Sequence, residues 1–337
     1  MIRPGPRNRI TDVAGIAVGN AEDPAAITGV TVILPERPAV AAADVRGGGP
    51  GTRETDALGP GRLVECADAV VLSGGSAFGL AAADETMLWL AAHGRGFAVG
   101  DFRVPIVPAA VLFDLMNGGD KSWGEAPPYR RLARAACAAA GADFALGNAG
   151  AGLGAKAGDL KGGLGSASAT DDDGLTVGAI AAVNALGSPV MPGGATLWAA
   201  CLEQAGEMGG QPPAPGPAPL AVDLPIPRPS AGANTTLATV AVNADLDRAE
   251  ALRVAVMAHD GFARALRPVH TPFDGDTVFV LATGGFHLTG ERAPHVARIG
   301  AMAADCVTRA IGRGVYEARG IPGFPAWRDR FGGSAGT

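Results

Sequence analysis

The sequence predicts an α/β protein in which one sheet system is shared by the whole chain. Three observations lead there. Residues 1 to about 200 alternate short strand-like apolar runs with Ala-rich helical runs. Between Pro212 and Pro229, eight of 18 residues are proline, mixed with Gly and Ala. Such a stretch forms neither a helix nor a central strand, and reads as an exposed, partly extended linker. Beyond it the chain offers only two strand-like and two helical runs, too little material for an independent core. Those last strands are therefore expected to complete a sheet begun before the linker, giving one domain over residues 1–337.

Taken in order, residues 69–72 read as a buried strand that enters the glycine loop 73–79. An Ala/Leu-rich helix over about 80–93 follows and is stopped by Gly94. Residues 129–140 form a second helix with Gly141 as its C-cap. A strand over 175–183 has Asn184 at its end. After the linker, residues 234–242 favour β-structure strongly, and 245–267 read as a helix capped by Asp245 or Asn243. A strand over 276–283 and a long helix over 293–313 close the chain. No repeat of solenoid period is present.

Composition narrows the function. With 47% hydrophobic residues and a net charge of only −6, the chain has a core to bury and is not a disordered protein. Mild acidity argues against a nucleic-acid partner. No apolar stretch is long and clean enough to span a membrane. Residues 1–20 lack a charged segment followed by an apolar run, so a cytoplasmic protein is expected. Cys66, Cys137, Cys201 and Cys306 are far apart and are expected to be buried free thiols. The five histidines, His93, His259, His270, His287 and His295, show no metal-binding spacing, so neither a metal nor another cofactor is expected.

Several short segments carry candidate chemistry. The run from Arg46 to Thr52 lacks the spacing of a nucleotide-binding loop and reads as a tight turn beside a cleft. Gly75 and Ser76 lie in a strand–turn–helix setting, where Ser76 is either a nucleophile or the cap of the following helix. Lysine is nearly eliminated, three against 24 arginines, yet Lys156 and Lys161 both fall in the glycine-rich segment 147–168. A lysine near backbone donors can stabilise an oxyanion, or it can simply be solvated. Thr235 follows the linker and opens a strand. Cleavage between Asn234 and Thr235 would free an α-amine able to act as base for the threonine hydroxyl. Asp274 and Asp276 project to one side of an extended backbone and can orient that amine.

Together these segments make the chain similar to the P1 family of self-processing N-terminal nucleophile hydrolases, peptidase family S58. The resemblance rests on residues 11–16, 45–55, 73–80, 161–168, 234–236 and 271–277, and so spans the chain. Within that family it leans to the nylon-oligomer hydrolase branch. The aminopeptidase branch has a serine nucleophile and a Ser-x-Glu pair where this sequence has Asp274-Gly275-Asp276.

The resemblance implies a four-layer αββα sandwich and self-cleavage into chains 1–234 and 235–337. It implies Thr235 as nucleophile with Lys161, Asn184, Asp274 and Asp276 around it, Asn184 and Lys161 serving the oxyanion and Ser76 and Gly75 lying near the substrate. It also implies small amide or peptide substrates and a tetramer of αβ units. The alternatives are an aminopeptidase or D-esterase on the same fold, and a non-catalytic protein whose glycine loops hold a small ligand.

Overall fold

A computed structural model describes residues 1–214, 216 and 234–332. The strands that build it are β1 (Ile16–Asp23), β2 (Thr28–Pro35), β3 (Ala39–Val45), β4 (Val70–Ser73), β5 (Ala109–Val111), β6 (Gly163–Asp171), β7 (Thr176–Asn184), β8 (Thr235–Ala244) and β9 (Thr277–Phe286). The helices that cover them are α1 (Ala81–Ala92), α2 (Tyr129–Ala138), α3 (Arg248–Ala258), α4 (Asp260–Ala265) and α5 (Arg292–Glu317).

Two mixed sheets result. The larger runs β6-β7-β8-β9-β3, with short edge strands at Ile2–Arg3 and Cys66–Ala67. The smaller runs β1-β2-β4-β5, with Thr52–Arg53 at its edge. β8 and β9 are parallel, and β8 is antiparallel to β7. The strands after the proline-rich stretch thus sit in the middle of a sheet whose other strands precede it. That stretch, apart from residues 212–214 and 216, lies outside the described residues.

Alternation along each strand fills three apolar layers. In β9, Phe279 and Leu281 face the space between the sheets, where they meet Ile33, Leu72, Ile180 and Leu237. Val278 and Val280 face the other way, towards Val254, Phe262, Ile299 and Val307 of α3, α4 and α5. On the far side, Val30, Val32 and Val71 pack under Ala82, Leu90, Leu132 and Ala136 of α1 and α2. The order is helices, sheet, sheet, helices: the expected αββα sandwich.

Some boundaries differ from the sequence expectation. The helix expected over 245–267 is two helices meeting at His259. Its cap is Asp247, whose carboxylate accepts the Glu250 N–H at 2.8 Å. Asn243 instead stays in β8 and accepts Thr176 N–H at 2.9 Å, and Asp245 binds Arg292. Ser76 is not a helix cap: it opens a 3₁₀ turn, Ser76–Leu80, and α1 begins at Ala81 with no side-chain cap. All four cysteines are free thiols, but only Cys137 and Cys306 are buried, while Cys201 is exposed. Among the described residues, no helix is long and apolar enough to cross a membrane.

Candidate active site

Sheet register brings the first two site residues together. Asn184, the last residue of β7, pairs directly with Thr235, the first of β8. Both are buried. The chain is continuous here, so Thr235 still carries Asn234 on its nitrogen. Its hydroxyl donates to the Asn234 carbonyl oxygen at 2.5 Å.

The turn 271–276 closes over this bond. Gly275 N–H lies 3.0 Å from the Asn234 carbonyl oxygen and 3.1 Å from Thr235 Oγ1. One backbone donor therefore touches both the hydroxyl and the carbonyl of the preceding peptide bond. Asp274 is held within the turn: its Oδ2 accepts Thr271 N–H at 2.9 Å and the Thr271 hydroxyl at 2.6 Å. Asp276 Oδ1 accepts Thr236 N–H at 2.7 Å, while Oδ2 accepts His270 N–H at 3.1 Å and stands 2.8 Å from His270 Nδ1. The segment 46–49 backs the turn, with Gly49 N–H on Asp274 O and Arg46 N–H on Asp276 O. The tight turn expected there is thus the support of the Asp pair.

Asn184 is fixed by its own amide. Its Oδ1 accepts Lys156 N–H at 3.0 Å, and its Nδ2 donates to Phe113 O at 3.2 Å. Lys161 has no solvent exposure, and its ammonium donates to Gly152 O and Gly162 O, each at 2.8 Å. It is not a solvated surface lysine. Ser76 lies on the turn after β4 with φ +51°, an uncommon conformation outside glycine. Among the described residues, no side chain hydrogen-bonds its hydroxyl. Gly75 donates its N–H to Asp114 Oδ1 at 2.8 Å.

Burial sets the electrostatics. It brings the Lys161 ammonium down to about 7, with the Asp114 carboxylate pulling the other way. Burial also raises Asp274, and the adjacent Asp276 charge adds to it. The direction for Lys161 gives a stability prediction. Between about pH 7 and the usual lysine range, the unfolded chain holds this proton and the folded chain does not. Stability should therefore rise with pH across that window, by at most about 1.4 kcal/mol per pH unit. Chemical denaturation of wild type and Lys161→Met across pH 7 to 10 should show that rise for the wild type and a flatter line for the variant. Equal slopes would remove the buried-ammonium assignment.

Three participants were not legible as such. His270, seen in the sequence only as one of five scattered histidines, grips Asp276. It holds φ +55°, and its ring lies edge-on to His259 at 4.8 Å between centroids. His259 in turn reaches Asp44 O at 3.0 Å, and burial brings it down to about 4. Asp114, buried, accepts Thr28 Oγ1 at 2.6 Å as well as Gly75 N–H. Gly275 was visible only as the spacer between two aspartates. The one available signal was position: His270 directly precedes the segment 271–277.

In chemical terms, the cluster offers a hydroxyl, a carbonyl-binding N–H and two carboxylates around one peptide bond, with no group of three metal-ligating side chains among the described residues. Comparison with known proteins agrees in kind. The sequence matches peptidase family S58 over residues 8–327. It is 48% identical to the "uncharacterized aminopeptidase Rv1333" of Mycobacterium tuberculosis, covering 98% of this chain and all of that one. It is 28% identical to the 6-aminohexanoate-oligomer endohydrolase of Paenarthrobacter ureafaciens, covering 89% and 84% of the two chains. The sequence is therefore more similar to the mycobacterial protein than to that endohydrolase. Among solved structures, the L-aminopeptidase D-Ala-esterase/amidase of Ochrobactrum anthropi, described as a new variant of the Ntn hydrolase fold, superposes with a TM-score of 0.70. The match has 21% identity and covers 96% and 91% of the two chains. The Burkholderia sp. beta-aminopeptidase gives 0.69 at 23% identity, covering 94% and 89%. These two likenesses show the fold.

Proposed function

The chain belongs to peptidase family S58 and is a hydrolase of amide bonds; on that premise we propose that it is a self-processing N-terminal threonine amidohydrolase. Membership of a peptidase family sets aside the non-catalytic ligand-binding alternative. The observation that carries the proposal is the contact of the Thr235 hydroxyl with the carbonyl of its own preceding peptide bond, under the Gly275 N–H.

Processing would run as an N-to-O acyl shift. Thr235 Oγ attacks the Asn234 carbonyl carbon, its proton passing to the Thr235 nitrogen that will leave, and the Gly275 N–H receives the oxyanion. Collapse breaks the C–N bond, frees the Thr235 amine and leaves Asn234 as an ester. Water hydrolyses that ester to give a carboxylate at Asn234 and a free N-terminal threonine. In turnover the amine takes the hydroxyl proton as Oγ attacks a substrate amide, and returns it to the departing amine. Water then clears the acyl ester. Asn184, opposite Thr235, would aid the substrate oxyanion once its amide turns to it. Lys161, engaged by two carbonyls, would add a positive charge behind the site below about pH 7, where its ammonium persists.

The chains 1–234 and 235–337 would remain together, because β8 and β9 lie within the sheet. Such units would assemble as a tetramer; the exposed hairpin Phe97–Val104, which presents Phe97, Val99, Phe102 and Val104 to solvent, supports association of units without fixing their number. The aminopeptidase reading keeps a place through the name of the 48%-identical relative.

The catalytic amine must be neutral, so kcat/KM should fall as pH drops through its pKa. The Asp276 carboxylate favours the ammonium and raises that pKa. Asp276→Asn should therefore move the acid limb to lower pH. A limb that stays in place in the pH–rate profile would make Asp276 a bystander to the charge of the amine.

A further inference from the structure

We propose that Lys156 selects substrates by charge, and that the preferred amides carry a carboxylate on an otherwise apolar chain rather than a free ammonium. This rests on the amidohydrolase reading above and names its substrate class.

A small cavity of about 30 Å³ abuts Asn184, the residue opposite Thr235. Phe113, Met116 and Phe324 give it apolar walls, and Asn117, Asn184 and Lys156 supply its polar groups. In the continuous chain it has room for about one water. Lys156 is fixed there by its backbone, whose N–H binds Asn184 Oδ1 and whose strand Lys156–Ala157 pairs with Leu160–Lys161.

The ammonium is the unusual part. The other two lysines donate to backbone carbonyls: Lys161 to Gly152 and Gly162, Lys121 to Ala26. Lys156, only partly exposed, has no hydrogen bond or ion pair through its side chain among the described residues. Among the described residues, no acidic side chain lines the cavity. A substrate ammonium placed here meets a like charge, whereas a carboxylate gains a partner that the described residues do not supply. The apolar surfaces of Phe113, Met116 and Phe324 border the same opening and suit the methylene next to that carboxylate. A site built to hold an amino terminus needs the opposite charge.

The test uses purified, processed protein and two matched sets of linear amides. In the first, the 4-nitroanilides of adipic acid (mono-amide), hexanoic acid and 6-aminohexanoic acid put a carboxylate, nothing or an ammonium on the acyl side. In the second, N-hexanoyl amides of 6-aminohexanoate, hexylamine and 1,6-diaminohexane put the same groups on the amine side. In at least one set, kcat/KM at low salt should follow carboxylate, neutral, ammonium, with roughly a tenfold span that shrinks as salt rises. Lys156→Met should flatten the order and Lys156→Glu should reverse it, each read in protein whose small chain begins at Thr235. An unchanged order in Lys156→Met, or ammonium as the best substrate of the wild type, overturns the proposal. So does the absence of turnover in both sets from protein whose small chain begins at Thr235. Failure of the nucleophile reading looks different: Thr235→Ala would then cleave these amides like the wild type.

Discussion

Thr235→Ala should yield a single intact chain of 33.5 kDa, whereas the wild type should yield two chains, the smaller of about 10 kDa and beginning Thr-Thr-Leu-Ala. On the proposed mechanism the variant lacks the nucleophile for both reactions, so hydrolysis of any amide should fall by a factor of about 10³ to 10⁶. Its fold should persist. Thr235 opens β8, and the strand's pairing with β7 and β9 is made by backbone groups that alanine retains. A denaturing gel, sequencing of the small band and a melting curve read the three parts separately. Thr235→Ser keeps the hydroxyl and should still process, more slowly. A normal rate in the alanine variant would return attention to Ser76, whose turn after β4 has the strained geometry of an exposed nucleophile.

Much of this architecture was readable from the periodicity of apolar residues. The strands β4, β7, β8 and β9 and the helices α1, α2 and α5 stand within a few residues of where alternation and the 3.6-residue repeat put them. The misreadings have local causes. Asn243, Asp245 and Asp247 can all cap a helix, and tertiary partners for the first two left the role to Asp247. Its reciprocal pairing with Glu250 was written in the spacing. The glycine-rich segment 147–168, where a lysine could have been simply solvated, is from Gly163 a buried strand. Small residues are required there because α5 lies close: a Cβ on Gly165 would sit 1.9 Å from Ala310 O. Composition alone does not separate a flexible loop from a strand under a tightly packed helix.

The site was legible only where a resemblance carried it. Thr235, Asn184, Asp274 and Asp276 do converge, through strand register and one turn. Nothing in the sequence says that His270 grips Asp276 or that Asp114 takes the Gly75 N–H, because both contacts depend on loops brought together by the fold. Residue rarity was the better guide for the lysines. Lys161 is buried with its ammonium on two carbonyls, and the Lys156 side chain has no partner among the described residues.

Gly275→Ala should stop self-cleavage almost as completely as loss of the nucleophile, though it changes no functional group. A Cβ at this position would lie 2.6 Å from Thr235 Oγ1, closer than real Cβ atoms come to any neighbour. It cannot retreat, since Gly49 O at 3.0 Å and Pro50 Cα at 3.2 Å stand on its other sides. Gly275 is not in the left-handed region, so alanine suits its backbone and the cost falls on the hydroxyl. Pushing that hydroxyl aside, or drawing the turn and its N–H back, loses the alignment of attacking oxygen, carbonyl and oxyanion donor. Misplacement of this order costs about 10² in rate, and loss of an oxyanion donor a comparable factor. Overpacking should lower stability by about 1 to 3 kcal/mol, so the chain should still fold. Gly141→Ala, where a Cβ meets nothing within 4 Å, is the control and should process normally. Adding Thr235→Ser to the Gly275→Ala chain should restore part of the cleavage, because serine rotates more freely about χ1 than threonine. Time courses of band conversion on a denaturing gel, beside melting curves for each variant, read the result. Wild-type cleavage in Gly275→Ala would mean that the turn 271–276 does not govern the reacting hydroxyl.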